Sequence, residues 1–452
     1  MNEILSIFFL SILLPVIATL QISNIVLNKR YLQIDKTSKL VINYLILLNI
    51  ILLLSFFDLK LNFIIAFLSV IYFFIFLFKK NLLKDNFFFL ITLSVLLFII
   101  SIHISNQLLL YWDVQKIWLP KTILFFNQES IINLKELSKE NYPYFGSLYW
   151  STIWKISMLN FEYIGRIGYV FLFLLSLLDF ANTFKTNDRN KVIIFFLLVY
   201  IIYDYWHFRG TQEILIFSLI LICSKAIYQL HNIKKNVKNE SFGYLVVFFL
   251  TTNLLIWTKN EAIFFSLFLL LTLLMLIKKK LIFKFFLIFI FIILFFIKFI
   301  IFKIYNFNVV LSEDFNFFFL YKDIIKNLSF ENIALIIKHF FISMFKFPSI
   351  LLSLFFLVAI LRRKNYFLIF PILNIFFLIF IYLSTSKDFN HMLVTGFNRV
   401  FFESSSYYLI FILIYFNNFR DKKFINFYSY LKKNLIFLKI YRNKKIQNYN
   451  SK

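Results

Sequence analysis

The sequence predicts an all-α, polytopic integral membrane protein with about thirteen transmembrane helices. Three observations predict it. Of the 452 residues 61% are apolar, and the apolar runs repeatedly approach the length of a bilayer crossing. Only 6 Gly and 5 Pro are present to interrupt them. Lys and Arg, finally, concentrate in alternate gaps between the runs. Lipid offers the backbone no hydrogen-bond partners, so these runs should be helices, and the alternating pattern of a membrane barrel is absent.

In chain order the apolar runs are 4–27, 40–57, 61–78, 87–104, 163–183, 192–206 and 212–230. They continue with 242–257, 262–277, 281–302, 349–361, 365–384 and 400–417. Basic residues fill every second gap: Lys29, Arg30, Lys36 and Lys39; Lys79, Lys80 and Lys84; Lys185, Arg189 and Lys191; Lys225, Lys234, Lys235 and Lys238; Lys278 to Lys280 and Lys284; Arg362 to Lys364. The positive-inside rule makes these gaps cytoplasmic, which puts the N-terminus outside and the C-terminus inside. A compositional bias would raise Lys everywhere; it would not alternate. Met1 to Leu27 lacks a charged n-region and a small-residue cleavage site, and reads as a retained first helix.

The expected organisation is a membrane domain over 1–417, with long outer loops at 105–162 and 303–348, followed by a basic cytoplasmic tail over 418–452. Both loops carry amphipathic stretches, Trp112 to Phe126 and Asn332 to Phe345, suited to helices lying in the interface. The net charge of +26 invites a nucleic-acid partner, but its placement between spans assigns it to membrane lipids, and no nucleic acid is expected. Cys223, the single cysteine, lies inside a span and excludes an internal disulfide framework or a Cys-based metal site.

Acidic residues number only 22, so their positions are informative. In the first outer loop Asp113 and Lys116 are three apart and share a helical face, with Trp112 and Trp118 at headgroup level. They form either an aromatic anchor with one ion pair, or a site in which Asp113 is a general base or metal ligand. Asn141-Tyr142-Pro143-Tyr144 is either a turn with interface tyrosines or one whose rings flank a sugar or cover a lipid head group. Thr258-Lys259-Asn260-Glu261 joins two spans with almost no loop, holding either a local Lys259 to Glu261 pair or a polar site for a phosphate or hydroxyl. Asp388, His391, Thr395 and Arg399 fall on one helical face, either a structural polar stripe or one suited to an anionic ligand such as a lipid phosphate. Glu313, Asp314, Asp204, His207, Arg209 and Glu213 are supporting candidates, whereas Asp179 and Glu403, inside spans, read as helix-to-helix hydrogen-bonding groups. No phosphate-binding glycine loop, nucleophile elbow or zinc spacing is present.

Together, Trp112-Asp113 with Trp118 and Lys121, Tyr142-Pro143, Thr258-Lys259-Asn260-Glu261, and His391 with Thr395 and Arg399 resemble the GT-C class of membrane glycosyltransferases. The resemblance covers residues 105 to 400 and is nearest to bacterial enzymes that use polyprenyl-phosphate-linked sugars on lipid A or surface polysaccharide. It implies an inner-membrane enzyme that transfers a sugar to a lipid or glycan acceptor on the outer face. Asp113 matches the acidic residue that activates the acceptor or helps hold a divalent cation (Mg or Mn), and Glu261 is the second catalytic candidate. Lys259 and Glu261 match a polar turn of that branch. Arg399, with His391, falls where a basic residue holds the donor phosphate. Lys116, Lys121, Tyr142 and Asn260 complete the implied substrate-binding set. Ala262 stands where a Gly usually follows the Glu, and Tyr144 where a second Pro is usual. A lipid-linked saccharide flippase and an inactive scaffold of the same fold are the competing expectations; polar residues strung along a path through the bilayer would favour the flippase.

Overall fold

The computed structural model describes residues 2–20, 22–23, 34–78, 82–106, 108–127, 130–137, 139–233, 238–277, 279–307, 320–345, 366–385 and 388–416. The expected span at 349–361, Glu313, Asp314 and the 418–452 tail lie outside the described residues.

Within them the secondary structure is helical throughout. The first half holds α1 (Asn2–Thr19), α2 (Lys36–Ser55), α3 (Leu61–Phe78), α4 (Leu82–Ser105), α5 (Leu119–Asn127), α6 (Phe145–Ile156), α7 (Ile167–Ala181) and α8 (Asp188–Ile202). The second holds α9 (Glu213–Asn232), α10 (Lys238–Thr258), α11 (Asn260–Leu276), α12 (Leu281–Ile304), α13 (Leu320–Asn327), α14 (Phe330–Phe345), α15 (Ile369–Leu383) and α16 (Phe389–Ser405). Among the described residues nine helices are long and apolar enough to cross a membrane, and α3 and α11 are shorter apolar helices. The run at 192–206 becomes α8, which stops at Ile202 because the chain turns extended at Tyr203 and enters a short 3-10 turn at Tyr205–Phe208. The final span starts earlier than its apolar run, since Asp388 caps α16 through the backbone N–H groups of Asn390 and His391, and the helical path continues to Phe416. Most of the gap between the apolar runs 365–384 and 400–417 is therefore helix.

Helices α7 and α9 are central: α9 packs against α7, α10, α11 and α16, and every side chain of α7 is buried. By contrast α3 and α12 turn large apolar side chains outward, including Phe63, Phe67, Phe73 and Phe74 on α3 and Phe285, Phe286, Phe289 and Phe296 on α12. Apolar faces of that extent are foreign to water-exposed surfaces and point to an integral membrane protein.

At one end of the bundle a charged clamp ties the core helices together. Lys225 of α9 donates to Asp179 of α7 (2.6 Å), to Asp35 (3.0 Å) and to Ser38 of α2 (2.6 Å). Asp35 also caps α2 through the Ser38 N–H and accepts from Tyr244 of α10 (2.7 Å) and from Thr37. Asp179 thus performs the helix-to-helix role expected of it, with an ion pair as the bond. Although burial disfavours the Asp35 carboxylate, Lys225 and these hydrogen bonds hold it below the usual carboxylate range.

Removing the ammonium would leave Asp179 buried without its counter-charge. Lys225→Met is expected to destabilise the protein by about 3–5 kcal/mol. Thermal unfolding in detergent should show this as a lowered midpoint, with much of the loss recovered in the Lys225→Met, Asp179→Asn double variant. A single variant that melts like the parent would refute the clamp.

Candidate functional site

At the opposite end of the bundle the chain returns four times to one place. Asp113 arrives on the segment after α4, Glu213 at the first turn of α9, Lys259 and Glu261 at the break between α10 and α11, and Arg399 and Glu403 on α16. Residue 259 interrupts the helix because its backbone is extended (φ −155°, ψ 156°), which restarts the chain as α11 with Glu261 in the favourable first turn.

Arg399 and Lys259 organise this end. The Arg399 guanidinium donates from Nη1 to Asp113 Oδ2 (2.5 Å), and from Nε (3.0 Å) and Nη2 (2.6 Å) to Glu213 Oε1. Lys259 Nζ donates to Glu403 Oε1 (2.8 Å) and lies 3.6 Å from Glu213 Oε1 and 3.7 Å from Glu261 Oε1. Glu213 bridges the two cations, so a single chain of charge runs from Asp113 through Arg399, Glu213 and Lys259 to Glu403 and Glu261. Glu213 and Glu403 are buried, whereas the side chains of Asp113 and Glu261 keep 36% and 26% of their exposure. Those two carboxylates are the ones a ligand can reach. Burial works against the Lys259 ammonium, but Glu261, Glu403 and Glu213 more than offset it and hold it above the ordinary lysine range.

The platform beneath Asp113 is built by close approach. Four of the six glycines pack there. A Cβ on Gly165 would lie 2.3 Å from the Trp150 ring, one on Gly168 2.8 Å from Tyr149, and one on Gly146 2.4 Å from the Gln212 amide. Gly210 has φ +81° and sits against Val114 and Trp150, so both its backbone and its lack of side chain are required where the chain turns into α9. The ring of Tyr111 faces both the Arg209 and the Arg399 guanidinium, at 5.7 and 5.8 Å, and Arg209 lies 3.4 Å over Trp206.

Other candidates are placed elsewhere. Val114–Trp118 is a π-helical turn, and its wider winding breaks the three-residue spacing that would align Asp113 with Lys116. Lys116 is exposed, and Asp113 pairs with Arg399 instead. The Asp388 to Arg399 stripe also divides: Asp388 caps α16, Thr395 bonds back to the His391 carbonyl, His391 is exposed, and of the four Arg399 alone joins the network. Tyr142 packs edge-on to Trp118, and its carbonyl accepts from Lys121 (2.6 Å). Asn260 Oδ1 accepts from Lys298 of α12 (3.3 Å). Sequence reasoning undervalued Glu213 and Glu403 and did not single out Lys298. Its signal was present, as a cation inside the apolar run 281–302.

Among the described residues no three His, Cys, Asp or Glu side chains are grouped so as to hold a metal ion. The positions between the carboxylates are taken by Arg399 and Lys259, so the arrangement does not fit a resident divalent ion. Comparison with family models, with curated proteins and with solved structures returns no match.

His207 borders the network, its ring stacked 3.6 Å from Phe402, the neighbour of Glu403. Desolvation and the nearby Arg399 lower its pKa to about 4, against the opposing pull of Asp204 and Glu213. The imidazole is then neutral at pH 7, and on acidification the unfolded chain takes up the proton first. Stability from this group is present above pH 6.5 and is lost as pH falls toward 4, by about 1–2 kcal/mol between pH 6.5 and 5. His207→Phe, which keeps the stacking, should flatten that part of the melting-temperature profile relative to the parent. Identical acid profiles for the two proteins would refute a half-buried neutral imidazole.

Proposed function

We propose that the protein is a GT-C-like membrane glycosyltransferase of about thirteen spans. In this reading it moves a sugar from a polyprenyl-phosphate donor to a lipid or glycan acceptor at the end of the bundle carrying Asp113. The observation that carries the proposal is the charge chain itself. Segments near 113, 213, 259 and 399, separated by up to 286 residues, meet through side-chain bonds, with Asp113 and Glu261 partly exposed. Three of those four segments are the ones on which the sequence resemblance rests. By the basic-gap orientation this end is the outer one, and the inner-membrane location follows the same reading.

In the proposed reaction the acceptor hydroxyl oxygen bonds to the anomeric carbon, and the bond from that carbon to the phosphate oxygen breaks. The acceptor proton passes to Asp113, and polyprenyl phosphate departs with the bonding electrons. Configuration inverts. Arg399 acts by holding one Asp113 oxygen, which leaves the other to face the acceptor. No step is routed through a metal ion.

A second reading, a flippase for lipid-linked saccharide, is favoured by one observation: α9 carries Glu213 of the reactive end and Lys225 of the opposite clamp, so buried charge occurs at two well-separated levels of one central helix. Between them, Asn49 and Asn253 bond to each other (2.8 Å) and do not extend a polar path.

Purified protein in lipid, supplied with candidate polyprenyl-phosphate sugars, should transfer sugar, and Asp113→Asn should lower the rate by about 10²–10⁴-fold, the usual worth of a positioned general base. Transfer undiminished in Asp113→Asn would overturn the assignment of the base. Donor movement across vesicles without transfer would replace the transferase with the flippase.

A further inference from the structure

The charge chain cannot itself welcome a phosphate. It brings four carboxylates, Asp113, Glu213, Glu261 and Glu403, to two cations, and each cation already lies against carboxylate oxygens. Two buried lysine amines lie next to it. Lys121 on α5 is fully buried, and its Nζ donates to the Tyr142 carbonyl. Lys298 on α12 is 3% exposed, and its Nζ makes two long contacts of 3.3 Å, to the Ile256 carbonyl and to Asn260 Oδ1. Among the described residues neither ammonium has a carboxylate within ion-pair distance, and Glu140 and Glu261 act on them only at longer range.

The two amines sit on helices joined by an aromatic row. Phe125, Tyr144, Trp257 and Phe302 pack in sequence at centroid distances of 5.7, 5.4 and 5.9 Å, linking α5 to α12. Lys121 lies one turn before Phe125, and Lys298 one turn before Phe302. Trp257 is fully buried, and its Nε1–H has no hydrogen-bond partner among the described residues. Two buried amines and an indole N–H therefore border one apolar region, and all three can donate. Desolvation, and then Lys298, push Lys121 below its ordinary range, a cost that an intervening anion would remove.

We propose that Lys121, Lys298 and the Trp257 indole N–H form an anion subsite that takes a phosphate group. Its identification with the donor's phosphate rests on the transferase reading; the site as an anion site does not. Asn260 links it to the reactive end, since it accepts from Lys298 and is flanked by Lys259 and Glu261.

The test is ligand-dependent thermal stabilisation of the full-length protein in detergent. Three probes are compared: inorganic phosphate, a short-chain polyprenyl monophosphate and the matching polyprenyl alcohol. One or both phosphates, but not the alcohol, should raise the melting temperature, and Lys298→Met should weaken the apparent Kd at least tenfold. A response to polyprenyl phosphate alone assigns the phosphate to a lipid, and a response to inorganic phosphate as well assigns it to a soluble or exchangeable anion. Without ligand, Lys298→Met should melt no lower than the parent, because it removes a buried amine that has no carboxylate partner among the described residues; an amine that merely braced Ile256 and Asn260 would leave the variant less stable with its phosphate response intact. Lys121→Met provides the same readout should Lys298→Met fail to fold. An undiminished response in the folded variant, or no phosphate response in the parent, overturns the subsite. Phosphate binding without sugar transfer from any donor would leave the subsite standing and remove the transferase reading.

Discussion

A charge withdrawn from water must find an opposite charge, and inside a helical bundle that partner usually sits on a different helix. This requirement sets the long-range order of the molecule. Lys225 joins α9 to α7 and to the start of α2, while Arg399 joins α16 to α9 and to the Asp113 segment. Apolar packing alone is permissive of sliding and rotation, because one Leu or Phe face resembles another. An ammonium 2.6 Å from one carboxylate is not permissive. The two charged clusters therefore fix the register of α9 at two points, Glu213 in its first turn and Lys225 about three turns further on.

The helices were legible in the sequence because apolar length is a local property, and the alternate basic gaps were legible because charge is counted residue by residue. What stayed hidden was partner choice. Spacing aligned Asp113 with Lys116, but a π-helical turn widened the winding, and the carboxylate found a guanidinium 286 residues away. Spacing likewise put Asp388, His391 and Arg399 on one face, but a cap and exposure took the first two. Glu403 reads locally as one carboxylate inside an apolar helix; its meaning appears only when Lys259 arrives 2.8 Å away from another part of the chain. Lys298 was visible as an isolated cation, yet nothing local distinguishes a snorkelling lysine from one facing the bundle.

Scarcity of glycine sharpens the account of the site. In a chain with 6 glycines, four placed around Trp150, Tyr149 and Gln212 mark where backbones must come closest. That close packing lies beneath Val114 and the entrance to α9, the two segments that deliver Asp113 and Glu213. Rigidity there matters more than elsewhere, because a carboxylate held by one Arg399 bond keeps its direction only if the backbone behind it does not move.

The residues 259–261 connect the two electrostatic characters of this end. Lys259 lies among the carboxylates, Asn260 accepts from Lys298, and Glu261, at the first turn of α11, stays partly exposed. A helix broken at one residue thus points successive side chains toward an acidic cluster and toward a region of buried amines that lack carboxylate partners among the described residues. Chemistry that removes a proton from a neutral hydroxyl while expelling a phosphate needs opposite fields a few ångströms apart: carboxylate where the proton leaves, ammonium where negative charge collects. A uniformly acidic or uniformly basic pocket would assist one half of that reaction and oppose the other. Asn260 is where the charge chain that carries the proposed function meets the amines of the anion subsite.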